Sequence, residues 1–242
     1  MRARPLVEIC CDTLTSALAA AAGGADRIEL CGPLDAGGTT PSFGLIDAVC
    51  REVSIPVHVL VRPRSGDFSY SPGELRVMAL DARYAQKLGA SGVVTGALTS
   101  TGMVDRPAMQ TLIAAADPLR ITFHRAIDVV PDPLAALDEL VELGIERVLT
   151  SGGRPTAIAG AVTIAQLVER ARGRIVILAG SGVSAANAAQ LARDTGVREL
   201  HVGSAVRRPV RQNDNAACAG QFGTAPAEVA EELVAELIRN LA

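Results

Sequence analysis

Two short segments of the chain carry an acid and a thiol two residues apart. Glu8 precedes Cys10 and Glu29 precedes Cys31, in each case at the end of an apolar run. Side chains two residues apart on a β-strand point to the same face, so each glutamate is expected beside its cysteine. Carboxylates transfer protons, whereas thiolates bind soft cations such as Cu(I). The repeat therefore indicates a polar pocket and allows a metal site formed jointly by Cys10 and Cys31.

Basic and imidazole side chains end two other apolar segments, at Arg62 and at His124. Burying such a group alone is costly, so these groups must neutralise one another or bind something. Arg62 is suited to holding an anion, and His124 or a glutamate to moving a proton. The expected result is one coupled cluster of catalytic side chains, namely Glu8, Glu29, Arg62 and His124.

A purely structural use of the same charges stays open. The two glutamates are then the acidic half of an ion-pair network with Arg62 and Arg125, since structural networks also perturb charged groups. His58 lies lower in its segment and is expected to be a core histidine. His201 lies in the last apolar segment, and its direction is not fixed by the pattern.

Glycine-rich segments near the C-terminus suggest a site for phosphate or carboxylate. Backbone N–H groups of such loops, together with a helix N-terminus, bind anions in many barrels. Glycine also occurs simply because it permits tight turns, so both interpretations stand. The residues expected to bind substrate or an anion are Arg64, Asp67, Arg125, Gly180, Ser181, Gly182, Gly203 and Ser204.

Apolar, β-branched segments with helical stretches between them must position these residues. They recur at 6–11, 27–31, 56–62, 92–95, 120–124, 147–150, 174–179 and 199–203. Eight strands alternating with helices predict an α/β protein, a single (β/α)8 TIM-type barrel domain over residues 1–242. A doubly wound open sheet is the alternative. No Gly-x-Gly-x-x-Gly motif follows the first segment, so no nucleotide cofactor is predicted.

Several helix boundaries can be read directly from the sequence. Ser71 followed by Pro72 and by Glu74 is the pattern of a capping box, which starts a helix. Ser184 is expected to cap a helix that begins at Ala185. The apolar stripe near the C-terminus predicts a helix at about 225–241.

Composition argues against nucleic acid and membranes as partners of the protein. A chain of 242 residues with a net charge of -3 is long enough for one large core and lacks the basic patches that favour nucleic acid. No apolar stretch approaches the roughly 20 residues that span a bilayer, so no membrane is expected as a partner. With no room for a signal peptide, we expect a cytoplasmic protein. The five irregularly spaced cysteines are expected to be reduced, and a homo-oligomer is left open.

An ordered set of motifs resembles the CutC family. The strings are EICC, GADRIELC, GGTTPS, RPRSGDF, TFHRA and RVLTSG, and the resemblance runs from about residue 6 to residue 204. It implies a cytoplasmic TIM-type barrel connected with copper homeostasis, with Cu(I) at cysteines that match Cys10 and Cys31. Ser65 replaces a glycine that is frequent in the family, and residues 207–223 do not follow the family pattern.

Two functions follow from these observations. In one, the protein binds or handles copper through two thiolates. In the other, it is a barrel enzyme that acts on a small anionic or carbonyl-bearing molecule, including a phosphorylated one. The expected partner is therefore a copper ion or a small anionic ligand.

Overall fold

Eight parallel strands close into a barrel in the computed structural model, which describes residues 4–210 and 227–241. The first strand pairs with both the second and the eighth, and this pairing closes the barrel and excludes the open sheet. The TIM-type fold is therefore confirmed. The barrel strands are β1 (Leu6–Cys11), β2 (Arg27–Leu30), β3 (Val57–Leu60), β4 (Gly92–Thr95), β5 (Arg120–Phe123), β6 (Arg147–Thr150), β7 (Val176–Ala179) and β8 (Glu199–Val202).

Helices follow the strands and cover the outside of the barrel. They are α1 (Leu14–Ala22), α2 (Phe43–Glu52), α3 (Pro72–Lys87), α4 (Arg106–Ala116), α5 (Pro133–Glu142), α6 (Ala161–Ala171), α7 (Ala188–Thr195) and α8 (Glu231–Leu241). The predicted capping box of α3 is confirmed. Ser71 Oγ accepts a hydrogen bond from the Glu74 N–H, and the Glu74 carboxylate accepts one from the Ser71 N–H.

The start predicted for α7 is wrong by three residues. Ser184 does not cap a helix at Ala185. Its N–H instead donates to Asn187 Oδ1 at 2.9 Å, and its carbonyl accepts from the Ala188 N–H at 2.9 Å. The segment therefore forms a turn before the helix begins at Ala188.

The C-terminal helix is shorter than the expected 225–241. A strand β10 (Ala227–Val229) comes first and pairs antiparallel with β9 (Arg207–Pro209), so α8 begins only at Glu231. Most of the segment 207–223 that departs from the family pattern lies outside the described residues.

The two faces of the barrel strands differ in chemistry. Val7, Ile9 and Cys11 of β1 pack in the large apolar core shared with the helices, whereas Cys10 belongs to a separate cluster. TIM barrels usually fill their interior with Val, Ile and Leu. This interior also holds buried acids, arginines and histidines. In the described parts of the chain, no helix is both long enough and apolar enough to cross a bilayer.

Candidate functional site in the barrel interior

Four charged side chains, Glu8, Arg27, Glu199 and Arg147, form a chain of ion pairs at the floor of the barrel, the end where the strands begin. Arg27 donates to Glu8 Oε2 at 2.5 Å and to Glu199 Oε2 at 2.7 Å. Arg147 donates to both oxygens of Glu199, at 2.6 and 3.1 Å. Burial by itself would raise the pKa of Glu199, but the bond from Arg147 and the charge of Arg27 outweigh it and lower that pKa. The acidic groups stay ionised because the arginines neutralise them.

The sequence left open a structural ion-pair network of the two glutamates with Arg62 and Arg125. The observed network is of that structural kind, but its arginines are different ones. Glu8 pairs with Arg27, its neighbour across the β1–β2 register, and not with Arg62 or Arg125. Burial opposes ionisation of Glu8, yet the Arg27 charge and the contact with His201 lower its pKa overall. Glu8 therefore belongs to the ion pairs of the floor and also contacts His201, which lies closer to the mouth.

His201 connects Glu8 on the floor of the barrel to the Glu29 carboxylate and the Cys10 thiol. Its Nδ1 lies 2.8 Å from Glu8 Oε1, and its Nε2 lies 3.8 Å from Glu29 Oε2. Burial would lower the pKa of His201. The charge of Glu29 and hydrogen bonds to Cys10 and Glu8 outweigh burial and raise that pKa well above its usual value. The two carboxylates thus favour the protonated form of the ring.

Cys10 and Cys31 meet above His201, with their Sγ atoms 3.6 Å apart. Both are buried, and the cluster around them includes Leu60 and Val94. The contact with Cys31 and then burial raise the pKa of the Cys10 thiol, so it is protonated at neutral pH. We call Cys10, Cys31, Glu29 and His201 the thiol side of the barrel mouth. Single ligand atoms of Cys10, Glu29 and His201 all lie within 4.8 Å of one another.

Arg62 does not pair with Glu29, so the predicted contact between them is wrong. Its Nη1 donates to the carbonyl oxygens of Gly37 at 3.0 Å and Gly38 at 2.8 Å, and its Nη2 donates to that of Gly66 at 2.9 Å. These bonds tie the loops after β2 and β3 together over the mouth. The first loop approaches the thiols closely, since a Cβ on Gly38 would lie 3.7 Å from Cys31 Cβ.

His124 lies among aromatic rings, away from the two glutamates. Its ring centroid is 4.7 Å from that of Phe68 and 5.9 Å from that of Phe123. Burial and the positive charge of Arg62 lower the pKa of His124 to about 3. Its Nδ1 accepts from the Ala126 N–H at 3.3 Å, which leaves the proton of the neutral ring on Nε2.

Three buried donor atoms on Arg62 and on side chains close to Arg62 make no hydrogen bond within the described residues. They are the Nε of Arg62, the Oη of Tyr70 and the Nε2 of His124. The Arg62 guanidinium carbon lies 5.3 Å from the centre of the Phe68 ring. We call Arg62, Phe68, Tyr70 and His124 the donor side of the mouth. The predicted single cluster is thus divided between two places.

The other predicted arginines have local partners. Arg64 donates to Glu74 at 2.5 Å and to Asp67 at 3.0 Å, which fastens its loop to the start of α3. Arg125 binds Asp128 at 2.8 Å and Ser151 Oγ at 2.9 Å. A substrate-binding function for Arg64, Asp67 and Arg125 stays a prediction.

Asp128 is a buried acceptor that the sequence reasoning missed. It accepts hydrogen bonds from Thr150 Oγ1 at 2.5 Å, from the Ser151 N–H at 3.0 Å and from the Gly153 N–H at 3.1 Å. The available signal was its place four residues after His124 and the polar string that follows β6. Asp128 thereby fixes the loop after β6.

The predicted anion loops are packed tightly at several points. Ser181 has a left-handed backbone, with φ of 80°, and its Oγ donates to the Pro155 carbonyl at 2.8 Å. A Cβ on Gly180 would lie 2.7 Å from Leu149 Cδ1, and one on Gly182 would lie 2.9 Å from Thr156 Cγ2. Close packing alone therefore explains why glycine is present at both positions, without any bound anion.

The last strand ends in the remaining pair of predicted anion-binding residues. Gly203 follows β8 directly, and Ser204 starts a short 3₁₀ turn, Ser204–Val206. Their position at the carboxyl end of the barrel matches the face where such barrels bind ligands. Anion binding by this loop and by the loop after β7 stays a prediction.

Comparison with known proteins gives the family of the chain. Residues 5–206 match the model of the CutC family. A CutC family protein of Xanthomonas campestris pv. campestris is 52% identical over 204 residues, which cover 84% of each chain. The human copper homeostasis protein cutC homolog is 49% identical over 81% of this chain and 72% of its own length.

Solved structures agree with that assignment. The CutC structure from Streptococcus agalactiae is 38% identical, covers 83% of this chain and 98% of its own, and superposes with a TM-score of 0.79. Phosphoribosyl anthranilate isomerase from Thermococcus kodakaraensis has the same fold at 14% identity, with a TM-score of 0.62 and 98% coverage of each chain. The motifs, the barrel and these relatives agree, and the chain belongs to the CutC family.

Proposed function

We propose that this protein binds Cu(I) as its cargo through Cys10 and Cys31. The observation that supports this most is the separation of 3.6 Å between the two Sγ atoms at the barrel mouth. Soft thiolates prefer Cu(I) over harder cations. Relatives of the chain carry names that refer to copper homeostasis.

The surroundings of the two sulfurs fit a soft monovalent cation. Leu60 and Val94 pack around them, and the loop that contains Gly38 lies directly above. A metal held there is shielded from water and from harder competing ligands. We further propose a reducing, cytoplasmic location, since the thiols of Cys10 and Cys31 lie 3.6 Å apart and a reducing compartment protects such a pair from oxidation to a disulfide.

An anaerobic Cu(I) titration against a competing chelator tests the proposal. We expect the parent protein to bind one Cu(I) tightly and the double variant Cys10→Ser, Cys31→Ser to lose that binding. Cys11→Ser is the matched control, because Cys11 is adjacent and equally buried but faces the helices. Equal affinity in the parent and the double variant would refute a thiolate site.

The donor side supports a second candidate function, catalysis on a small anionic or carbonyl-bearing molecule. Arg62, Tyr70 and His124 present donors without acceptors, and burial raises the pKa of Tyr70 so that its hydroxyl keeps the proton. A neutral imidazole that donates from Nε2 can polarise a carbonyl oxygen.

A further inference from the structure

The geometry of the two thiols leaves the coordination of a bound metal incomplete. With metal–sulfur bonds of about 2.3 Å, as in zinc thiolates, a linear two-coordinate ion needs sulfurs about 4.6 Å apart. The Sγ atoms of Cys10 and Cys31 are only 3.6 Å apart. At that separation the same bond length gives a sulfur–metal–sulfur angle of about 100°. One side of the metal therefore stays open to a third ligand.

His201 is placed to fill that open side. One ring nitrogen of His201 lies within 4.8 Å of Cys10 Sγ and of a Glu29 carboxylate oxygen. Cys31 Sγ lies outside that group, so the Cys31 side chain has to turn toward His201 for both thiols and the imidazole to bind one metal. The other ring nitrogen, Nδ1, is held 2.8 Å from Glu8 Oε1. A carboxylate that binds one nitrogen of a histidine fixes the ring and leaves the second nitrogen to ligate metal. Glu8 is itself held by Arg27, so the ring is oriented by a rigid pair.

Charge favours His201 over Glu29 as that ligand. Two thiolates and Cu(I) together carry one negative charge, and a carboxylate ligand would add a second inside the buried mouth. A neutral imidazole adds none and suits copper better than a carboxylate does. Binding releases three protons, one from each thiol and one from Nε2. Glu29 Oε2 lies 3.8 Å from Nε2 and can accept one of them, and the other two pass to solvent.

We infer that His201 Nε2 is the third ligand of a Cys₂His site and that Glu8 is its positioning residue. This inference rests on the proposed function and specifies its coordination. It also explains why a histidine and two glutamates accompany the thiols, which a site of two sulfurs does not require.

The test combines Cu(I) affinity with copper X-ray absorption, on the parent and three variants. We expect two sulfur and one nitrogen scatterers in the parent and two sulfurs alone in His201→Asn. The affinity of His201→Asn should fall by more than the roughly 10- to 100-fold that loss of an outer-shell partner costs. Glu29→Gln should keep both sulfurs and the nitrogen, and His201→Cys should show three sulfurs with affinity retained.

The outcomes separate the two proposals. If the parent binds Cu(I) and His201→Asn keeps its affinity and its nitrogen scatterer, the third ligand is wrong while the thiolate site stands. If the parent binds no Cu(I), the proposed function fails and the inference fails with it. Should His201→Asn not fold, His201→Cys decides, since only two sulfurs in that variant would overturn the assignment.

Discussion

Of two histidines at the barrel mouth, His124 is buried and His201 is mostly enclosed, yet their neighbours shift their pKa values in opposite directions. On the thiol side, His201 lies between Glu8 and Glu29, and its pKa is raised. On the donor side, His124 lies against Phe68 near Arg62, and its pKa falls to about 3. Burial disfavours the charged form of both rings, so the difference comes from the surrounding charges.

The two sides are therefore complementary in what they can bind. The thiol side presents sulfur and carboxylate groups, which favour a cation. The donor side presents N–H and O–H groups without acceptors, which favour an anion or a carbonyl oxygen. One mouth thus offers the two kinds of chemistry that the sequence suggested, in separate places.

The difference between the two histidines should appear in how the free energy of unfolding changes with pH. An unfolded histidine titrates near pH 6.5, whereas the folded pKa of His124 is about 3. The unfolded state therefore binds more protons below pH 6.5, and the free energy of unfolding must fall as the pH drops. Between pH 6.5 and 4.5 this loss amounts to about 2.3 kcal/mol, because the slope rises from half of 1.36 kcal/mol per pH unit to nearly that full value as the unfolded histidine becomes protonated.

Urea unfolding of the parent and of His124→Asn across this range measures that contribution. The variant should lose less stability on acidification, and an unchanged slope would contradict the account. His201→Asn is the opposite case. The folded pKa of His201 is raised, so its contribution is complete below pH 6.5 and is lost as the pH rises through the folded pKa.

A smaller effect should come from ligands of the donor side. A small carboxylate or phosphate present at ten times its dissociation constant stabilises the native state by about 1.4 kcal/mol. We expect some member of a broad panel to raise the melting temperature of the parent and of Arg51→Met, because Arg51 pairs with Asp47 on α2, away from the mouth. His124→Phe should abolish the shift. A shift retained in His124→Phe would exclude the donor side as the binding place.

The sequence predicted the barrel and the facing of single strands because both depend on local patterns. Apolar runs mark the strands, and the two-residue period puts Glu8 on the same face as Cys10. The partners across the barrel depend on the register between strands. That register sets Glu8 opposite both Arg27 and His201, and no local pattern encodes it.

The predicted pairing of Arg62 with Glu29 was wrong for a related reason. Its long side chain reaches carbonyl groups of Gly37, Gly38 and Gly66, and loop backbones leave no signal in a charge pattern. Asp128 escaped notice likewise, because its donors are mostly hydroxyl and backbone groups of the loop after β6.

The most direct test of the central claim follows the imidazole signals of the protein by NMR as Cu(I) is added without oxygen. The chain has three histidines, His58, His124 and His201, so each can be assigned by single substitution. We predict that one equivalent of Cu(I) shifts the His201 signals strongly and leaves those of His124 and His58 nearly unchanged. Shifts centred on His124, or no change at His201 with copper bound, would contradict a metal site on the thiol side.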